Sequence, residues 1–203
     1  MKGLGRFAAE ASRAVRNKRY EKTDDGRIHV PAAGVFIGGV FRAQYAAPGE
    51  GFGPLHLGGN RVVNQGLDKI LNLLAGHTQS SALYVAPFAG DVAPAAAWTG
   101  ANWKDLATEF TAYSPNTRPP WTTVASTARQ LTNEAALAAA TITFNAGGPY
   151  TIRGAVLCEA SAKGATTGAL IAATRFDADL AGMVGGGKLA LQYDLQAMDE
   201  SDA

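Results

Sequence analysis

Cysteine occurs once in this 203-residue chain, at Cys158, so no disulfide can close within it. A lone cysteine in an apolar run behaves as a small hydrophobe, which fits a reducing compartment or assembly inside a cell. Histidine is almost as scarce. His29, His56 and His77 form no C-x-x-C, H-x-x-x-H or H-E-x-x-H spacing, so no metal site is expected. Charged residues make up only 17% of the chain and the net charge is +1, which argues against general nucleic-acid binding. No apolar run approaches the length that crosses a bilayer, so no membrane partner is expected. The basic N-terminus is not followed by a continuous apolar segment, so it does not read as a secretory signal.

Patterns that carry chemistry are equally sparse. Gly185-Gly186-Gly187-Lys188 lacks the G-x-x-x-x-G-K-[ST] spacing and leads into an alternating strand, so its glycines read as a turn. Asp177 and Asp179 resemble part of a calcium loop, but Leu180, Ala181 and Met183 fill further ligand positions, leaving a polar turn after a strand. Asp105 and Glu109, four apart, can share a helix face. No G-x-S-x-G elbow is present, and Cys158 has no histidine near it in sequence to activate it. Accordingly no catalytic, cofactor-binding or metal residue is assigned, and no enzyme is expected.

Small residues and turn formers are abundant, with 24 Gly and 9 Pro. They punctuate four β-prone runs toward the C-terminus, at 141–144, Thr151 to Cys158, Ala169 to Phe176 and Lys188 to Leu195, as in hairpins and meanders. In the last run Leu189, Leu191, Tyr193 and Leu195 alternate with Lys188, Ala190, Gln192 and Asp194, which predicts one buried and one wet face.

Upstream, residues 2–20 carry an amphipathic helical pattern. Leu4, Phe7, Ala8, Ala11, Ala14 and Val15 form one stripe, and the opposite face is basic. Seven basic and two acidic residues within 1–22 give that stretch +5, against −4 for the rest of the chain. Three destinations suit such an arm: a partner subunit, its own domain, or a membrane surface or nucleic acid, with nucleic acid touched only weakly. A polar turn over Glu21 to Gly26 follows, then a strand over Gly34 to Tyr45. Ala46 to Gly59, rich in Gly and Pro, reads as an exposed loop or extended arm. Asn64 can cap a helix with the stripe Leu67, Ile70, Leu71 and Leu74, closed near Gly76. A short strand at Ala82 to Ala86 is expected to stop at Pro87. The Pro87 to Trp103 segment reads as a long surface loop whose Trp98 and Trp103 either anchor an interface or fold back on the domain's own core. Lys104 to Tyr113 suits a short helix or a strand. Together these elements predict a mainly β chain, an antiparallel sandwich or jelly-roll-like domain with one internal helix and an N-terminal amphipathic helical arm. Its expected parts are the arm at 1–26, the domain at 27–196 and an acidic tail at 197–203.

One resemblance adds to this. Asn60-Arg61-Val62-Val63-Asn64-Gln65-Gly66-Leu67, then Leu83-Tyr84-Val85-Ala86, then Tyr113 with Arg118-Pro119-Pro120-Trp121, are followed by Ile152-Arg153-Gly154-Ala155-Val156. The series continues through Gly168 to Phe176 and closes with the alternating run Leu189 to Leu195. In this order, over about residues 60–196, the motifs resemble those of tailed-bacteriophage virion structural proteins. The resemblance implies a non-enzymatic, multi-copy virion component, such as a capsid-decorating protein, a head–tail or tail accessory, or a fibre-anchoring adaptor. Its partners would be copies of itself and other virion proteins, and its location the virion, assembled in the host cytoplasm. On that reading Leu4, Phe7, Ala11 and Val15 are arm anchors, with Arg13 and Arg16 on the basic face. The 46–59 segment, the loop holding Trp98 and Trp103, and Trp121 would supply further contacts. The alternative is a carbohydrate- or receptor-binding sandwich in which Trp98, Trp103 and Trp121 line a groove.

Overall fold

All four C-terminal strands form, but they divide between two sheets. The structure, a computed structural model, describes residues 21–22, 28–29, 35–126 and 128–199. Contacts group the chain into two units, Ile37–Ala197 and Met1–Phe36 with Met198–Ala203. In chain order the strands are β1 (Glu21–Lys22), β2 (Ile28–His29), β3 (Val35–Ala46), β4 (Leu55–Gly59), β5 (Arg61–Val62) and β6 (Tyr84–Phe88). β7 (Tyr113–Ser114), β8 (Gln130–Thr132), β9 (Thr141–Phe144), β10 (Tyr150–Cys158), β11 (Leu170–Met183) and β12 (Lys188–Asp199) follow. In the smaller unit β1 pairs antiparallel with β2, Glu21 opposite His29. The expected arm helix over 2–20, with Leu4, Phe7, Ala11, Arg13, Val15 and Arg16, lies outside the described residues.

The larger unit is a sandwich of two antiparallel sheets, mainly β as its alternation and turn residues predict. One sheet has the order β5-β11-β10-β6 and the other β4-β3-β12-β9-β7, with β8 also on β12. The main core lies between them. Phe41 of β3, Ile142 and Phe144 of β9, and Leu189, Leu191 and Tyr193 of β12 meet Ile152 and Leu157 of β10 and Phe176 of β11. The period-two pattern of β9 is kept, with Thr141 and Thr143 half-buried and Ile142 and Phe144 buried.

β10 loses its alternation for a physical reason. Gly154 to Cys158 are all buried, because the four-stranded sheet is covered on both faces. Its second face carries a separate core of Val63, Ala86, Phe88, Val156, Cys158, Leu170 and Ala173, roofed by Trp98, Trp103 and Ala107. Gly154 leaves the room that the Phe88 ring occupies in this second core. A Cβ there would lie 2.2 Å from Phe88 Cζ and 2.1 Å from the Thr174 carbonyl oxygen.

Several expectations need correction. Of the two alternatives for the Pro87 to Trp103 segment, its tryptophans take the inward one, on the domain's own core, and not the interface one. Trp98 and Trp103 are buried, since a two-faced apolar sheet must be covered from both sides. Pro87 does not stop its strand. β6 runs through it as an edge strand, where a missing N–H is tolerated, and the Pro87 carbonyl accepts the Phe110 N–H at 3.0 Å. Within 46–59, Leu55–Gly59 is strand, paired with β3 from Gln44 opposite Leu55 to Val40 opposite Gly59. β11 continues through Asp177 and Asp179 rather than turning there, and Asp179 accepts from Arg153 and Arg175, each at 2.9 Å. β12 extends to Asp199, into the expected tail.

Ala190 and Asp194, expected to face water, are buried. Asp194 is held there by Arg42 Nε at 2.9 Å and Gln192 Nε2 at 2.9 Å. One edge of β12 pairs with β9 over Lys188 to Ala190 and with β8 over Asp194 to Gln196. Asn133 fills the gap between them. Its Nδ2 donates to the Leu191 carbonyl at 3.1 Å and its Oδ1 accepts the Tyr193 N–H at 2.8 Å, so the buried backbone groups remain satisfied. Among the described residues no helix is long and apolar enough to cross a membrane.

Candidate interaction surface

The helix over Asn64–Leu74, α1, forms where the stripe predicts it, but the stripe does not enter the core. Asn64 is its first residue rather than its cap. Val63 holds the capping position and no side chain caps the helix, while the Asn64 N–H is taken by the Ala96 carbonyl at 2.9 Å. At the other end Gly76 adopts φ +71°, the left-handed turn that suits glycine just past a helix.

α1 docks by its first turns. Gly66 lies against β11 so closely that a Cβ would sit 2.1 Å from the Ile171 carbonyl oxygen. Gln65 Oε1 accepts the backbone N–H groups of Gly100 and Leu170, both at 2.9 Å, tying the helix to the tryptophan segment and to β11. Lys69 Nζ pairs with Glu159 Oε1 at 2.8 Å. Burial raises the Glu159 carboxyl, but hydrogen bonds from Lys69 and the Ala169 N–H outweigh it and leave the group below the usual carboxylate range.

Because contact is made through Gly66, Lys69 and the half-buried Ile70 and Leu73, the remaining apolar positions turn outward. Leu67, Leu71 and Leu74 are 38, 61 and 79% exposed. They fall at i, i+4 and i+7, one flank of a helix. Their exposure increases away from the docked end. A second apolar group, Phe52, Leu55 and Leu57, is exposed on and beside the edge strand β4.

The tryptophans chosen from sequence are not part of any surface. Trp121 lies in the main core, its Nε1 donating to the Tyr193 carbonyl at 2.9 Å. Trp98 stacks edge-on against Phe88 with centroids 6.2 Å apart. Trp103 lies under the Arg118 guanidinium, whose carbon is 5.1 Å from the ring centre. Among the described residues the three tryptophans are buried rather than lining a groove together.

A polar cluster around Arg118 is also internal. Arg118, unassigned in sequence, is buried and grips Glu109 with two parallel bonds, Nε to Oε1 at 2.7 Å and Nη2 to Oε2 at 2.8 Å. Its Nη1 reaches the Ala160 carbonyl at 3.0 Å, and Glu109 Oε2 accepts the Gly164 N–H at 2.8 Å. The pair thus pins the 159–164 turn to the strand edge. Glu109 therefore does not share a helix with Asp105. The short helix Trp103–Leu106 ends before it. Cys158 touches this cluster through Arg118 Nη1, 3.5 Å from its Sγ, and the Ala160 carbonyl. Burial pushes the thiol up to about 11 despite the neighbouring Arg118 charge, and neither partner is a base that could take its proton. Burial likewise raises the Tyr113 hydroxyl, with help from the Glu109 charge. The arrangement fastens loops and holds no activated nucleophile. Among the described residues no three of His, Cys, Asp and Glu are grouped to hold a metal ion.

Shallow grooves are also present among the described residues. One of about 290 Å³ is lined by Tyr45, Glu50, His56, Asp179 and Met183 among others. Another, about 360 Å³, is bordered by Asn60, Arg61, Thr174 and Arg175. Sequence reasoning found the α1 stripe but did not say which side it faces. The available signal was Gly66 within the helix, since a glycine there marks the side on which another backbone approaches. Set against protein-family models, curated proteins and solved structures, the chain matches none.

Proposed function

We propose that this chain is a non-enzymatic structural subunit that assembles in many copies, of the tailed-bacteriophage virion kind its motifs resemble. The observation that supports it is the row Leu67, Leu71 and Leu74, held toward solvent by a helix fastened at its other side. A side chain exposed singly is ordinary, whereas a row along one helix flank is a contact face. The proposed location is the virion, and the partners are copies of the chain and other particle proteins.

The size of the face favours many copies over a discrete dimer. Covering these three leucines, scaled by their exposure, is worth roughly 3–5 kcal/mol. Association alone costs about 4–15 kcal/mol, so one such contact is weak, and several acting together in a lattice or ring are strong. The exposed Phe52, Leu55 and Leu57 on β4 provide a second contact for the same subunit. The mass of the full chain by light scattering across a concentration series tests the reading. A multi-copy species is expected, reverting to monomer in Leu71→Asp with Leu74→Asp. An assembly that this pair of substitutions leaves unchanged removes α1 from the interface.

A further inference from the structure

We infer that the leucine flank of α1 is the seat for the N-terminal segment, residues 2–20, of a second copy of this chain. The inference rests on the multi-copy reading above and names the partner at one contact. The acceptor is narrow: Leu67 to Leu74 spans about 10 Å along the helix axis, too small for a globular face but matched to a second helix laid beside it.

The chain itself carries a segment of the complementary kind. Residues 2–20 repeat apolar side chains at helical spacing, with Leu4 and Phe7 at one end and Ala8, Ala11 and Ala14 along the stripe. A row of alanines allows close approach and leaves holes into which leucine side chains fit. Charge points the same way. The first 22 residues carry +5 and the rest −4. Asp68, exposed beside Leu67 and Leu71, makes no ion pair among the described residues and can meet the flanking Lys and Arg of the segment.

Site-directed crosslinking tests this on the full chain. Cys158 is buried and is the only native cysteine, so introduced thiols report without background. Chains bearing Ala11→Cys and chains bearing Leu71→Cys are mixed, oxidised and run without reductant, with Leu74→Cys as a second acceptor variant, and the native mass of each mixture is recorded. The expected result is a mixed dimer joining residue 11 of one chain to residue 71 or 74 of another, lost when Asp68→Lys is added to the acceptor. Links only between two acceptor chains overturn the inference in favour of helix self-pairing. A link formed within one chain of an Ala11→Cys, Leu71→Cys double variant, without dimer, overturns the second-copy assignment. No link in a mixture that keeps its multi-copy mass overturns the seat while leaving the assembly reading intact. A mixture that is monomeric throughout overturns both.

Discussion

Removing the Arg118 guanidinium should destabilise this protein more than any surface change. In Arg118→Met the Glu109 carboxylate, only 4% exposed, loses both bonds of its pair and keeps the Gly164 N–H alone. The Ala160 carbonyl keeps only the weak Cys158 thiol as donor, and Trp103 loses its overlying cation. Breaking one side of a buried pair costs about 3–5 kcal/mol, because the remaining charge stays out of water. That is a large part of the roughly 5–15 kcal/mol that holds a domain together. Replacing both partners, Arg118→Met with Glu109→Leu, leaves no charge from the pair, only the Gly164 N–H unmatched and the Ala160 carbonyl with the weak Cys158 thiol as its donor. The double variant is therefore expected to lose only about 1–3 kcal/mol. Urea unfolding followed by tryptophan emission, at dilution where subunits are separate, measures all three proteins. The reasoning is refuted if Arg118→Met loses less than about 1 kcal/mol, or if the double variant loses the sum of the two single ones.

Three further outcomes can be checked together. Gly66→Ala should loosen α1 from β11 by about 1–3 kcal/mol, since the added methyl meets the Ile171 carbonyl oxygen; an unchanged unfolding midpoint would count against the docking geometry. Cys158, its thiol raised to about 11 by burial, is about one part in a thousand thiolate at pH 8. It should react with a disulfide reagent only as fast as the protein opens, and an immediate full reaction would contradict its burial. The Glu159 carboxyl is lower in the folded state than its ordinary value, so its contribution is fully present above the ordinary glutamate range and lost as pH falls through the lower folded-state value. Glu159→Gln should flatten the acid limb of stability against pH, and an unaltered limb would remove the Lys69 pair from the anchoring of α1.

The sequence carried the strands better than their partners. Alternation at Leu189, Leu191 and Tyr193 marked β12 correctly, and glycines marked the turns. Nothing in spacing says that β9 and β12 lie in one sheet and β10 and β11 in the other, because that choice is made by long-range packing. The unbroken apolar run Gly154 to Cys158 hinted at a sheet covered on both faces, and this decides where Trp98 and Trp103 go. Tryptophan in a Gly- and Pro-rich loop looks the same in sequence whether it faces out or roofs a core. The α1 stripe shows the converse limit, since periodicity finds an apolar flank but not what lies against it. The Arg118 and Glu109 pair had no local signature, being nine residues apart across a bridge between β6 and the 109–110 backbone.

Hydrogen exchange at the amides of residues 67–75 tests most directly whether the outward leucines of α1 form a contact. Compared between a concentrated sample and one diluted to single chains, these amides should exchange several-fold more slowly when subunits are together, with β9 and β10 amides unchanged. Equal rates in both samples, with a multi-copy mass established in the first, would contradict it.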